Sequence, residues 1–396
     1  MKRGKKFVVL GIAVFMFLLA GQLQAAEEFK LGVFIPLSGA GTSYGIPQLH
    51  GLKMAVEEIN GKGGITVAGK KYNLDLIVYD DKCVTSEGVN AFEKLVNSDK
   101  VKIILGPICS NIVSALAPKV GDRVILVTIG TVVTDYTEIG NPFIFRPHIS
   151  VKSVAASTVD FFTKDLNIRH LGIHAGKSAW TPEFLPFVQE RFKQEGRELS
   201  IEYYDLAATN YYPQLTALGR KNPDAIFNMG YPNHGALCMK QLHELGIKPK
   251  HRLTYSSGTA EEFLRITSAD ILEGIYDCMA APIDSAIQSG NPKALPFKKK
   301  FTEKFGIGPS WSAGCNSYDV VYIVAKALEN AGTVTDLIKM RDALHNLGKV
   351  EETIVEYPIV NGKMFNERNE AYMRGAIRQM RKGEFQFLKW TGAFHK

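Results

Sequence analysis

Charge of one sign, metal-ligand spacing and a phosphate-binding glycine turn are all missing from this 396-residue chain. Its formal net charge is +7, and four of those charges (Lys2, Arg3, Lys5 and Lys6) lie in a leader without acidic residues, so the remainder carries about +3 (7 − 4). That is too little to mark a nucleic-acid partner. Among nine histidines only His170 and His174 have the four-residue separation of a helical metal pair. They fall on a predicted strand, where that separation spreads them roughly 13 Å apart, and His148, His234 and His243 are scattered. The segment Gly39-Ala40-Gly41-Thr42-Ser43-Tyr44-Gly45 imitates a dinucleotide turn, but three residues instead of two precede its last glycine and no acidic strand end follows about 20 residues on. No cofactor, no metal and no enzymatic activity are expected.

The leader's apolar run, Phe7 to Ala20, is 14 residues long, short of the roughly 20 that span a bilayer. With its basic start and the small residues of Leu23-Gln24-Ala25-Ala26, it reads as a signal peptide over residues 1–26, cut after Ala25 or Ala26. No cysteine adjoins the cut, so a lipid anchor is not expected. The mature chain is longer than one hydrophobic core usually organises, and two domains are expected.

What is present is strand followed by helix, repeatedly. Strands are predicted at Phe29–Ile35, Leu74–Tyr79, Val101–Leu105 and Val124–Thr128, with helices at Pro47–Asn60, Ser86–Asn97 and Ser110–Asp122 between them. The pattern restarts with a helix at Val151–Asp165 and strands at His170–Ala175, Ser200–Tyr204, Ala225–Met229 and Arg252–Tyr255. Such alternation builds a parallel sheet wrapped by helices on both faces. The fold class is therefore α/β, with two doubly wound parallel-sheet lobes and the groove between them as the default site. Within it, Gly106-Pro107 forces a turn, and Ser110-Asn111 opens a helix whose first N–H groups have no intrahelical partner, a mouth that attracts anions.

Several motifs run nearly end to end: Ile35-Pro36-Leu37-Ser38-Gly39 before Ser43-Tyr44-Gly45, Ala55-Val56-Glu57-Glu58-Ile59-Asn60-Gly61-Lys62-Gly63-Gly64-Ile65, Tyr79-Asp80-Asp81-Lys82-Cys83, Leu105-Gly106-Pro107-Ile108-Cys109-Ser110, Phe145-Arg146-Pro147 and Phe365-Asn366-Glu367-Arg368-Asn369. The chain carrying them resembles the type I periplasmic binding proteins of the leucine/isoleucine/valine-binding family, receptors of ABC importers. The resemblance implies three crossings between lobes, at Arg146-Pro147, Ala280-Ala281-Pro282 and near Val350 to Val355. The first lobe is then 27–146 plus 283–350, and the second 147–282 plus 351–396. It also implies a disulfide between Cys83 and Cys109, against the alternative that Cys109 is a reactive thiol at a helix start. Cys278 and Cys315 are left as a second pair or as buried free thiols, with Cys238 unpaired.

Carried over residue by residue, the resemblance makes Ser110 the carboxylate-binding serine, with Asn111 beside it. It places Thr128, Gly130 and Thr131 at the next strand end, where the family's threonine falls on Val132 and Thr131 is the nearby hydroxyl. Tyr44 lines the first-lobe wall, while Trp180 and Tyr231 cover the ligand from the second lobe. The acidic residue that meets an amino-acid ammonium in the family falls on Ser257, with Glu183 or Glu261 as substitutes. An unpaired buried ammonium costs several kcal/mol, so the expected ligand is a small carboxylate without an α-ammonium, aromatic or otherwise planar. A periplasmic, monomeric receptor with a membrane permease as partner is implied. A same-fold sensor for a signalling receptor, or branched-chain amino acid binding with a substituted ammonium partner, are the alternatives.

Overall fold

A computed structural model of the chain describes residues 26–391 apart from positions 40, 257, 281, 282 and 309. The signal peptide, Ser257 and the Ala281-Pro282 part of the second crossing lie outside the described residues. The first half runs β1 (Glu27–Ile35), α1 (Thr42–Gly61), β2 (Ile65–Val67), β3 (Lys70–Asp80), α2 (Thr85–Asn97), β4 (Ile103–Leu105), α3 (Ser110–Val120), β5 (Ile125–Val127), α4 (Asp135–Glu138) and β6 (Ile144–Phe145). It continues through α5 (Val151–Asp160), β7 (His170–Gly176), α6 (Thr181–Gln194), β8 (Glu198–Tyr204), α7 (Tyr212–Arg220), β9 (Ala225–Met229), α8 (Pro232–Glu244), β10 (His251–Tyr255), α9 (Ala260–Leu264), α10 (Ala269–Leu272) and β11 (Tyr276–Ala280). The last third is α11 (Ile283–Gln288), α12 (Ala294–Phe305), α13 (Ala313–Ala331), α14 (Leu337–His345), β12 (Gly375–Arg381) and β13 (Glu384–Thr391). The helix predicted over Val151–Asp165 is α5 followed by a π turn at Phe161–Asp165.

These elements form two α/β lobes around a six-stranded sheet, β2-β3-β1-β4-β5-β6, and a seven-stranded sheet, β13-β12-β11-β10-β9-β7-β8. β1 and β7 sit inside their sheets because both faces are covered: Leu31, Val33, Phe34 and Ile35, and Leu171, Ile173 and Ala175, are all fully buried. The sheets are mixed, not wholly parallel. β2 folds back antiparallel on β3 through Ala68-Gly69, and β12 and β13 join antiparallel through Lys382-Gly383, each turn residue having a positive φ. Strand order reverses at β1/β4 in one sheet and at β7/β9 in the other. Ligands in open α/β sheets gather at such switch points, outside the carboxyl ends of the strands.

The C-terminal helices return to the first sheet. Lys300 pairs with Glu58, and the hydroxyls of Tyr318 and Tyr322 donate to the same carboxylate at 2.8 and 3.2 Å. A Cβ on Gly51 would stand 2.0 Å from the Gly314 carbonyl oxygen, so α1 and α13 touch through backbone. Two buried carboxylates fix connecting strands. Glu370 takes Arg146 Nη2 at 2.6 Å and the Thr137 hydroxyl at 2.6 Å, while Asp319 accepts the N–H groups of Ile354 and Val355 at 2.7 and 2.8 Å. Cys83 and Cys109 are bonded. Cys238, Cys278 and Cys315 are free and buried, so the second pair left open by the sequence does not form.

Candidate functional site

The four helix starts at the two switch points carry Tyr44 (after β1), Ser110 (after β4), Trp180 (after β7) and Tyr231 (after β9). The rings of Tyr44 and Tyr231 meet between the sheets with centroids 5.5 Å apart. α3 starts as the sequence requires. Gly106 has φ +124°, and a Cβ there would lie 2.3 Å from the Phe34 carbonyl oxygen, so only glycine lets β4 turn beside β1. Cys109 is the N-cap and lends no side-chain cap. The backbone N–H groups of Ser110 and Asn111 have no hydrogen-bond partner among the described residues, which leaves a partial positive charge at the mouth.

Around that mouth the structure redistributes the expected hydroxyls. Thr128 and Thr131 are fully buried, and both Oγ1 atoms lie 2.9 Å from the Tyr136 hydroxyl, with Thr128 also 3.3 Å from the Phe145 carbonyl. They are engaged within the first lobe, on the Tyr136 hydroxyl. Asn111 turns its exposed amide to Thr85 Oγ1 at 3.0 Å and the Cys83 carbonyl at 3.4 Å, so only its N–H serves the mouth. Gly130 is half-buried with φ +93°. Trp180 does have a core to fill: it is 5% exposed and packs on Tyr255 at 5.1 Å within the second lobe's aromatic cluster. Tyr231 is 40% exposed and free to form part of a wall.

Carboxylates unread as bridges by sequence join the lobes across the groove, Glu183 and Glu262 by accepting backbone N–H groups. Glu183, in the first turn of α6, accepts the Thr134 N–H at 2.8 Å and the Thr134 hydroxyl at 3.2 Å. Burial raises its carboxyl above the usual range, and the Thr134 bonds pull it back. Glu262 closes a capping box on α9 by accepting the Thr259 N–H at 2.7 Å, and it also accepts the Ser310 N–H from the segment before α13. The Thr259-x-x-Glu262 spacing was legible as a helix start, but its second partner lies 48 residues away. Burial first, and Glu262 second, push the Tyr44 phenol well above its usual value, so Tyr44 is a neutral wall. Glu261 pairs with Lys298 at 3.4 Å and leaves Oε2 buried without a partner. Behind the groove, Arg378 pairs with Asp277 and donates to the Gly258 carbonyl at 2.7 Å.

In the same stretch, Gly41-Thr42-Ser43-Tyr44-Gly45 matches the Gly-x-Ser-x-Gly spacing. The structure gives it no hydrolytic role. Ser43 is exposed in the first turn of α1 and makes no hydrogen bond to a histidine among the described residues.

A family profile described as periplasmic binding protein matches residues 28–384. The chain belongs to that family. The leucine-, isoleucine-, valine-, threonine- and alanine-binding protein of Pseudomonas aeruginosa is 24% identical over 356 residues, 87% of this chain and 89% of that protein. The leucine-specific-binding protein of Salmonella typhimurium is 23% identical over 351 residues, 87% of this chain and 90% of that protein. Among solved structures, a leucine-binding protein from Thermotoga maritima superposes with TM-score 0.77 at 22% identity over 92% of this chain and 99% of that one. A solute-binding protein from Rhodopseudomonas palustris, in complex with 3,4-dihydroxybenzoic acid, gives TM-score 0.76 at 22% identity over 93% and 98%. The binding protein is thus of type I in fold, and its curated relatives are named as amino-acid-binding proteins. Among its described residues no helix is long and apolar enough to cross a membrane.

Proposed function

We propose that this binding protein is the receptor of an ABC importer for a small carboxylate lacking an α-ammonium, captured when the two lobes close. The observation that carries this reading is the α3 mouth, with two unpartnered N–H groups and the Ser110 hydroxyl, set at the switch point beside Tyr44 and Tyr231. A carboxylate supplies the acceptors this mouth lacks. For an ammonium the groove is poorly equipped: Glu183 and Glu262 are engaged by backbone N–H groups, and Glu261 pairs with Lys298, which Asp284 shares at 3.1 Å. The relatives supply both chemistries, leucine in one set and benzoate or hydroxybenzoates in the other.

In this mechanism the ligand docks on α3 in the first lobe, residues 27–146 with 283–350, and the second lobe swings over it about the three crossings. Glu183 and Glu262 then reach Thr134 and Ser310 and hold the closed form, which the permease recognises. Cleavage of the leader delivers the mature receptor to the periplasm as a monomer. The test is thermal shift against benzoate, hydroxybenzoates, 2-oxo acids, leucine and valine, since a ligand that binds only the folded state raises its stability. Acids without an ammonium are expected to raise the melting temperature. Stabilisation by leucine or valine alone would overturn the ligand class and favour the branched-chain reading, with Glu261 Oε2 as the ammonium partner.

A further inference from the structure

Gln48 is a buried polar side chain whose amide oxygen has no partner among the described residues. It is 1% exposed on the inner side of α1, it makes no side-chain hydrogen bond among the described residues, and its Oε1 is buried without a partner. Ser317 is bonded to its main-chain carbonyl, not to the amide. The hydroxyls nearest in sequence pattern to the groove, Thr128 and Thr131, are held by Tyr136. A Cβ on Gly130 would stand 3.0 Å from Gln48 Nε2 and 3.9 Å from Ile108 Cγ2, so the amide lies against the Gly130 backbone at the β5 strand end, beside the segment leading into α3. The Ile129 N–H to Pro107 carbonyl bond, 3.3 Å, ties those two strand ends together. Burying an amide unpaired is unfavourable, and a ligand group that completes it gains what the empty site lacks.

We propose that Gln48 is a specificity-determining residue, whose amide hydrogen-bonds an oxygen carried on the carbon next to the ligand's carboxylate. The class this selects is the 2-hydroxy or 2-oxo acid, or its aromatic counterpart with an ortho hydroxyl, because an amide both donates to a carbonyl and accepts from a hydroxyl. The proposal rests on the carboxylate reading of the α3 mouth.

The test compares the wild type with Gln48→Met, which keeps volume and removes the amide. Calorimetric titration uses two matched pairs, 2-hydroxybenzoate against benzoate and 2-hydroxy-4-methylpentanoate against 4-methylpentanoate, and the melting temperature of each ligand-free protein is recorded. In at least one pair the wild type is expected to favour the hydroxylated member by roughly 5- to 150-fold, and Gln48→Met to lose that preference while keeping its affinity for the parent acid. The ligand-free variant should melt higher, since an unsatisfied buried group has been removed. An unchanged preference, an equal loss for both members, or a wild type that favours the parent acid overturns the assignment. If the wild type binds none of the four acids, the carboxylate reading fails on its own account. Gln48 is then judged by melting: a rise upholds a solute-facing amide, and a fall or failure to fold shows that the amide serves the structure.

Discussion

Removing the Glu183 carboxylate should open the groove without unfolding either lobe. In the closed arrangement Glu183 Oε1 accepts the Thr134 N–H at 2.8 Å and Oε2 accepts the hydroxyl at 3.2 Å, with Thr134 only 3% exposed. When the lobes part, water replaces both bonds, so the carboxylate stabilises the closed form over the open one. A hydrogen bond to a charged group is worth about 1.5–3 kcal/mol. Glu183 is half-buried, and solvent screening argues for counting the pair of contacts once. At about 1.4 kcal/mol per tenfold, Glu183→Ala lowers the closure equilibrium roughly 10- to 150-fold, and affinity for any ligand held in the closed form falls by up to that factor, the full loss applying where the open form already dominates. Small-angle scattering of the ligand-free variant should show a larger radius of gyration, and calorimetry the weaker affinity, with urea unfolding little changed. Unaltered scattering and affinity would refute the reasoning, and a matching loss of urea stability would show that Glu183 supports the fold instead of closure.

Three further outcomes follow from named contacts. Glu370→Ala strands the buried Arg146 guanidinium beside the first crossing and should destabilise the protein by about 3–5 kcal/mol in urea unfolding; a loss below about 1 kcal/mol would mean the pair is not the anchor described. Cys83→Ser reopens a loop with a sequence separation of 26 and should cost about 3 kcal/mol on the loop-entropy model, whereas a variant as stable as the oxidised wild type would contradict a structural role for that bond. His148 is buried, and burial holds its imidazole down to about 4 from 6.5. Its contribution is therefore complete above pH 6.5 and is lost as pH falls towards 4, at about 1.4 kcal/mol per unit. Urea unfolding of His148→Gln should lack that slope, and identical pH dependence in variant and wild type would exclude it.

The alternation of apolar strands and amphipathic helices was legible because each is a local pattern, and the switch-point loops followed from it. β12 and β13 were not read, although Lys382-Gly383 between two alternating runs is a hairpin signal. The positions of Ser110, Tyr44 and Tyr231 at the switch points were legible because helix starts and strand ends mark themselves in sequence. The bonds of Thr128 and Thr131 to Tyr136 were not legible, because a hydroxyl looks the same in sequence whatever it meets. The two bridges stayed hidden for a related reason: Glu183 and Thr134 are 49 residues apart and Glu262 and Ser310 are 48 apart, so only folding makes them neighbours. Gln48 carries no pattern at all beyond an amide on the inner side of a helix.

The most direct trial of carboxylate capture is a crystal structure of the protein with the best stabilising acid from the panel. The carboxylate should sit at about 3 Å from the Ser110 N–H and hydroxyl, between Tyr44 and Tyr231 with the lobes closed. A carboxylate held elsewhere in the groove, with the Ser110 and Asn111 N–H groups facing only water, would contradict the account.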